Sequence, residues 1–270
     1  MKKFLFVSMV FLLVVFSVFG AKYKCVVFKT NLGDIKLRLY ADTPKHAGNF
    51  LKLAKEGHYD SLLFHRVIPE FMIQGGSSDS KNAAPGKMLG QGKIGYTIEP
   101  EILQTHFHKK GALCAARLGD EVNPGKLSSG EQFYIVVGKV YTEEELTRME
   151  AEKLRKEKNK LGHKLFQPKM EEYRNYLQTD QREKADSLIQ SINQKIEEEF
   201  ENYQGNKISP DARSIYETIG GTPFLDGEYT VFGEVIEGMD IVEKIAAQKT
   251  DARDRPLEDI LILETKITRK

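Results

Sequence analysis

The run Phe64-His65-Arg66-Val67-Ile68-Pro69-Glu70-Phe71-Met72-Ile73-Gln74-Gly75-Gly76 sets a guanidinium, a large aromatic ring, a thioether and an amide close together. On a strand, Met72 and Gln74 project to the same face, and Gly75-Gly76 allows a sharp turn that a residue with a Cβ makes less easily. Arg66 cannot serve as a base, because a guanidinium stays protonated, but it can act as a fixed hydrogen-bond donor. That grouping suits binding an extended peptide rather than cutting one. No arrangement of nucleophile, histidine and acid is legible in the chain, so a protease has no support. His106 and His108 stand two apart without a third ligand at a recognisable spacing, so they read as polar turn residues and no metal is expected. No cofactor is expected either, and His65 reads as structural.

The elements that must hold these side chains are mostly strands. Val26, Val27 and Phe28 lead into Asn31-Leu32-Gly33-Asp34, and then Ile35, Leu37 and Leu39 alternate with Lys36 and Arg38, which predicts a hairpin. Thr43-Pro44 marks a helix start, Phe50, Leu51 and Ala54 form its apolar face, and Gly57 ends it. Apolar runs at residues 71–73, 112–116 and 133–137, joined by Gly-rich turns, point to a barrel or sandwich. After Thr222 strand character returns over Tyr229 to Val235 and Ile260 to Ile267, with a helix over Met239 to Ala247 between them.

Residues 141–221 differ in kind. From Tyr141 to Asn202, 27 of 62 residues are charged, and only Gly162 and Pro168 interrupt a helix-forming composition, so this stretch reads as an inserted helical arm. Thr142 with Glu145 makes a capping box for a helix over about 142–160. Pro168 opens a second helix, and Asp180 precedes a third whose stripe is Ala185, Leu188, Ile189, Ile192, Ile196 and Phe200. That stripe packs either on the other helices of the arm or on a client or partner protein. Ser209-Pro210 starts a further short helix that Gly220-Gly221 ends.

At 270 residues the chain has room for one large domain, or one domain plus an elaboration. Its 40 basic and 39 acidic residues exclude a dedicated nucleic-acid binder, which needs a basic surface. Met1, Lys2 and Lys3 precede an uncharged apolar run over 4–20, the pattern of a signal peptide cleaved after Gly20, with an uncleaved anchor as the alternative. The run is shorter than the roughly 20 residues a membrane span needs. A periplasmic or secreted location is therefore expected, with no membrane contact beyond the leader. Export permits a bridge between Cys25 and Cys114, the only cysteines, although two buried thiols are the default.

The first motif closely resembles the signature of the cyclophilin family of peptidyl-prolyl isomerases. The resemblance continues through residues 111–116, 129–135 and 224–235, in the family's order. It spans residues 24–140 and 222–267 and implies a mainly β fold: a closed eight-stranded antiparallel barrel capped by two helices, over 22–140 and 222–270, with the arm outside it. Carried over by motif position, Arg66 is the catalytic arginine, and Phe71, Met72, Gln74, Ala116, Gln132, Tyr134, Phe224, Leu225 and Tyr229 line the substrate groove. The resemblance implies proline-containing polypeptide clients and an isomerase that assists folding of exported proteins. The rival is a non-catalytic peptide-binding chaperone or scaffold working through the groove and arm. Several positions depart from the family's pattern. Phe224 stands where Trp is common, which predicts weaker binding of cyclosporin-class inhibitors; Tyr229 replaces a His, Tyr134 a Phe, and Arg117-Leu118 follow Ala116 where Asn and Ala are frequent. The Tyr134 hydroxyl needs a partner if it is buried.

Overall fold

A computed structural model describes residues 24–269, so the expected leader over residues 1–20 lies outside the described residues. Strands β1 (Lys24–Thr30) and β2 (Gly33–Leu39) form the predicted hairpin, with Phe28 opposite Ile35. Gly33 ends its turn at a φ of +138°, and a Cβ there would meet the Ile241 side chain at 2.4 Å. Helix α1 (Pro44–Lys55) follows, its buried face contributing Phe50 to an aromatic group with Phe28, Tyr59, Phe133 and Phe232. Thr43 makes no side-chain cap. Glu101 does that work instead, accepting the Lys45 and His46 amides at 3.0 and 2.9 Å, with a negative charge at the helix's positive end.

The remaining strands are β3 (Arg66–Ile68), β4 (Met72–Gly75), β5 (Thr97–Ile98), β6 (Ala112–Arg117), β7 (Ser128–Val136), β8 (Val231–Glu237) and β9 (Ile262–Arg269). Among the described residues these nine strands make one antiparallel sheet in the order β3-β4-β7-β6-β8-β2-β1-β9, with β5 beside β7. The sheet curls as a half-barrel whose regular ladder ends at β3 and β9, so strand pairing does not confirm the closure of the eight-stranded barrel expected above. A single bridge, Leu63 to Leu261, and hydrogen bonds such as Phe64 N–H to the Ile260 carbonyl (2.9 Å) approach across the gap. The reason is local. On β3 the Val67 amide is taken by the Asp254 carbonyl of a loop (2.8 Å) rather than by β9, and Pro69 brings no amide with which to extend the strand.

The alternation of side chains gives this sheet two distinct faces. Val67, Ile73, Leu113, Phe133 and Ile135 point into the main core, covered by α1 and by α6 (Met239–Ala246). Met72, Cys114, Tyr134, Val136 and Val231 form a second apolar cluster on the opposite face. Cys25 and Cys114 are both buried and unbridged.

The arm comprises α2 (Glu143–Phe166), α3 (Met170–Gln178), α4 (Arg182–Phe200) and α5 (Pro210–Thr218). The Thr142–Glu145 capping box forms. Helix α2 runs past Lys160 because Gly162 sits where α4 approaches closely, a Cβ there coming within 3.3 Å of Ile196. The α4 stripe buries Ala185, Ile192 and Ile196, and α4 packs on α2 and α3. Helix α5 behaves differently from the rest. Leu146, Ala212 and Tyr216 make a small core with Phe107, Tyr141, Met149 and Ile208. Behind α5, Gly220 accepts the Lys110 amide (2.9 Å) and Gly221 bridges Lys109 and Lys139. A Cβ at Gly221 would stand 2.2 Å from the His108 carbonyl, so the return of the chain to the sheet demands glycine there. The expected arm thus divides into a distal helical part and a base built into the β domain.

Candidate active site

Register brings the motif residues together. Arg66 pairs with Gln74, and Ile68 with Met72, across β3 and β4. Gln74 and Met72 in turn pair with Tyr134 and Val136 of β7, and Tyr134 with Cys114 of β6. Directly opposed residues share a face, as do residues two apart, so Arg66, Met72, Gln74, Gln132 and Tyr134 all stand on the face away from the main core. The second apolar cluster on that face is Met72 and Tyr134 with Phe71, Ala116, Leu225 and Tyr229 packed against them. Phe224 forms the rim: its ring lies 5.7 Å from that of Phe71 and it remains 54% exposed.

The polar members are oriented by contacts that the motif alone does not reveal. Arg66 Nε donates to Asp254 Oδ2 at 3.2 Å, and among the described residues its terminal amino groups have no protein acceptor. Asp254 belongs to a turn held by Asp251, whose carboxylate accepts the Arg253 and Arg255 amides and is held below its ordinary range by those bonds. Gln74 Nε2 donates to Gln132 Oε1 at 3.0 Å, while Gln132 Nε2 donates to the Gly90 carbonyl at 3.0 Å. Gln132 therefore orients Gln74, and Gln74 keeps its own carbonyl as an acceptor for a bound backbone. Beside Arg66 a recess of about 210 Å³ is lined by His65, Gln74, Lys87, Gly90 and Arg253. A larger depression, about 620 Å³, lies between α2 and α4 in the arm, away from these groups.

His65 is buried against this recess. Burial pushes its imidazole down to about 4 from 6.5, and burial lowers His46 as well. The unfolded chain therefore binds more protons between those two pH values, so stability rises with pH across that window and is lost as pH falls through it. A shift of that size corresponds to about 3 kcal/mol. Urea unfolding should show the full contribution above pH 6.5 and its loss near pH 4, with a shallower pH dependence in His65→Gln. An identical profile in the variant would contradict the assignment.

In the second apolar cluster, which forms a shallow cup of Phe71, Met72, Tyr134 and Leu225, the Tyr134 hydroxyl has the partner it needs. It lies 3.0 Å from His108 Nε2, and His108 Nδ1 lies 2.9 Å from Asp226 Oδ1. His106 is turned elsewhere, bonded to Asp42 at 2.9 Å, so the two histidines do not converge. Arg117, named above only as a departure, has a structural task. Its guanidinium lies 4.5 Å from the Tyr229 ring centre, and it bonds the Glu228 carbonyl and Asp120 at 2.8 and 2.6 Å. It fixes the segment that presents Tyr229.

One arrangement was invisible in the sequence. Ser128 Oγ lies 3.0 Å from His46 Nε2, and His46 Nδ1 lies 2.7 Å from Glu101 Oε2. A nucleophile, a histidine and an acid are therefore aligned after all, contrary to the expectation from sequence. Ser128 and His46 are each 2% exposed, however, and Glu101 also holds the start of α1. The trio pins a helix to the sheet in a place no peptide reaches.

Fold and groove together define a cyclophilin-like domain. The family described as cyclophilin type peptidyl-prolyl cis-trans isomerase/CLD matches residues 25–162 and 214–267. The chain belongs to that family of isomerases. A Staphylococcus haemolyticus protein provisionally named peptidyl-prolyl cis-trans isomerase is 31% identical over 238 residues, 88% of this chain and 87% of its own length. A Streptococcus pyogenes serotype M6 protein, provisionally named as a bifunctional phosphatase and peptidyl-prolyl isomerase, is 32% identical over 88% of this chain, which spans only 37% of that longer protein. The crystal structure of a Cryptosporidium parvum cyclophilin shares the fold with a TM-score of 0.52 at 20% identity, over 91% of this chain and 98% of its own.

Proposed function

We propose that this isomerase accelerates rotation about X-Pro bonds in exported polypeptides, with Arg66 as its catalytic residue. Rotation is slow because the amide nitrogen shares its lone pair with the carbonyl, which raises a barrier of ~18–20 kcal/mol. Twisting the bond localises that pair on the prolyl nitrogen. A guanidinium fixed beside the twisting bond donates to the nitrogen or the carbonyl oxygen more strongly in the twisted state than in the planar one, and only such a difference speeds the reaction. The pyrrolidine ring sits in the cup of Phe71, Met72, Tyr134 and Leu225, and Gln74 accepts from the neighbouring backbone. The observation that carries the reading is the register: Arg66 stands across the ladder from Gln74, on the cup's face, with Nε tethered to Asp254. Arg66→Ala should lose most of the X-Pro isomerase activity while staying folded; activity equal to wild type would overturn the reading.

Delivery outside the cytoplasm rests on the basic start and apolar run of residues 1–20. Intact-mass measurement of the protein from cell-envelope or culture fractions should give a chain beginning at Ala21. A mass that includes residues 1–20 would contradict cleavage of the leader.

A further inference from the structure

The bond from Tyr134 to His108 is one link in a longer buried chain that the isomerase mechanism does not use. Asp226 Oδ1 accepts both the His108 backbone amide and its Nδ1, each at 2.9 Å. Asp226 Oδ2 accepts from the Tyr216 hydroxyl at 2.6 Å. Tyr216 lies on α5 and, like His108, is completely buried. Burial, aided by the Asp226 carboxylate, raises the Tyr216 phenol, and burial raises that of Tyr134, so both rings keep their protons. Tyr216 donates to the carboxylate, and so does His108 Nδ1–H; in that tautomer the bare Nε2 accepts from Tyr134.

We propose that Tyr216, a residue of the inserted helix α5, is a positioning residue for the isomerase: through Asp226 and His108 it fixes the Tyr134 ring that forms the cup's wall. This rests on the isomerase reading of the groove. The Tyr134 ring is held at its base by the β4–β7–β6 ladders and at its tip by this chain. A phenylalanine there would lack the second anchor. Each bond polarises the next, which makes a linked chain stiffer than its members taken singly. Part of the insert is in this way wired into the groove rather than hung beside it.

Tyr216→Phe keeps the ring and removes one donor. A looser wall grips the pyrrolidine less well in planar and twisted states alike, so the loss should fall on KM and leave kcat nearly unchanged. The expected rise in KM for an X-Pro peptide is about three- to tenfold, the worth of one hydrogen bond. In a Tyr134→Phe background the same substitution should have no further effect, because the hydroxyl it acts through is gone. Methyl NMR supplies a readout independent of turnover: the Met72 methyl, packed with Tyr134, should shift in Tyr216→Phe and not shift further in the double variant. If Tyr216→Phe does not fold, His108→Gln breaks the chain one link nearer the cup and must give the same KM change and methyl shift. A wild-type KM with an unmoved Met72 methyl overturns the proposal, as does an effect of Tyr216→Phe that persists without the Tyr134 hydroxyl. Failure of the isomerase reading would look different: wild type itself would show no turnover, while the methyl shift would still report the tether.

Discussion

Arg66→Ala should lower kcat/KM for X-Pro peptides by about 10²- to 10³-fold, the usual cost of removing one preorganised donor from a site of developing charge, and should leave a folded protein. Folding survives because the Arg66 and Asp254 side chains are 42% and 40% exposed, so neither becomes a buried unpaired charge when the other is removed. Arg66→Lys keeps the charge but loses the planar fork and the Nε bond to Asp254, so it should recover only part of the activity. Asp254→Ala leaves the guanidinium in place but untethers it, and a smaller loss, about tenfold, is expected from misplacement alone. A coupled peptide assay on the three variants, with circular dichroism as the folding control, checks the series. Equal activity of wild type and Arg66→Ala would remove the mechanism.

The second large effect concerns the arm. Removing residues 141–221 as a unit should abolish cooperative folding, whereas excising only 152–204 should leave stability and small-peptide turnover within about twofold of wild type, as expected for remote surface changes. The whole deletion strips the sheet of Tyr216 and Leu146, both fully buried, and of the Gly220 carbonyl that accepts the Lys110 amide. Losing large buried side chains costs about 2–5 kcal/mol each, against a total stability of roughly 5–15 kcal/mol. The shorter excision spares all of these. Asn206 donates to the Glu150 carbonyl at 3.2 Å, and Glu150 accepts the Ile208 amide at 2.9 Å, so the cut ends are already neighbours that a short Gly-Ser turn can join. Urea titration of both deletions separates the two parts of the insert. A stable, active protein lacking 141–221 would show that α5 is dispensable.

What the sequence revealed depended on how far apart the cooperating residues lie. The hairpin at Asn31-Leu32, the start of α1 at Pro44 and the Thr142–Glu145 box are local patterns, legible because period and cap chemistry act over a few residues. The groove could be assembled because its blocks carry a family's spacing and the ladder turns that spacing into one face. Asp254 could not be assigned to Arg66, since 188 residues separate them and an Asp in a charged loop resembles any other. That a buried Tyr134 hydroxyl needs an anchor is legible, but the anchor is not, because His108 reads as a turn residue until folding places Asp226 and Tyr216 around it. Helix α2 continues through Gly162 because packing against α4 outweighs intrinsic propensity. The regular ladder ends at β3 because a distant loop takes the amide that a closing strand would have used.

The central claim is differential: Arg66 favours the twisted amide over the flat one instead of simply holding the peptide. Exchange NMR of an isotopically labelled X-Pro peptide at saturating concentrations of wild type and Arg66→Ala, with affinities from the same titrations, tests that most directly. The account predicts that the variant still binds the peptide within a few-fold while cis-trans exchange on the bound peptide falls towards the unaided rate of tens to hundreds of seconds. Bound-state exchange as fast in the variant as in wild type would contradict it.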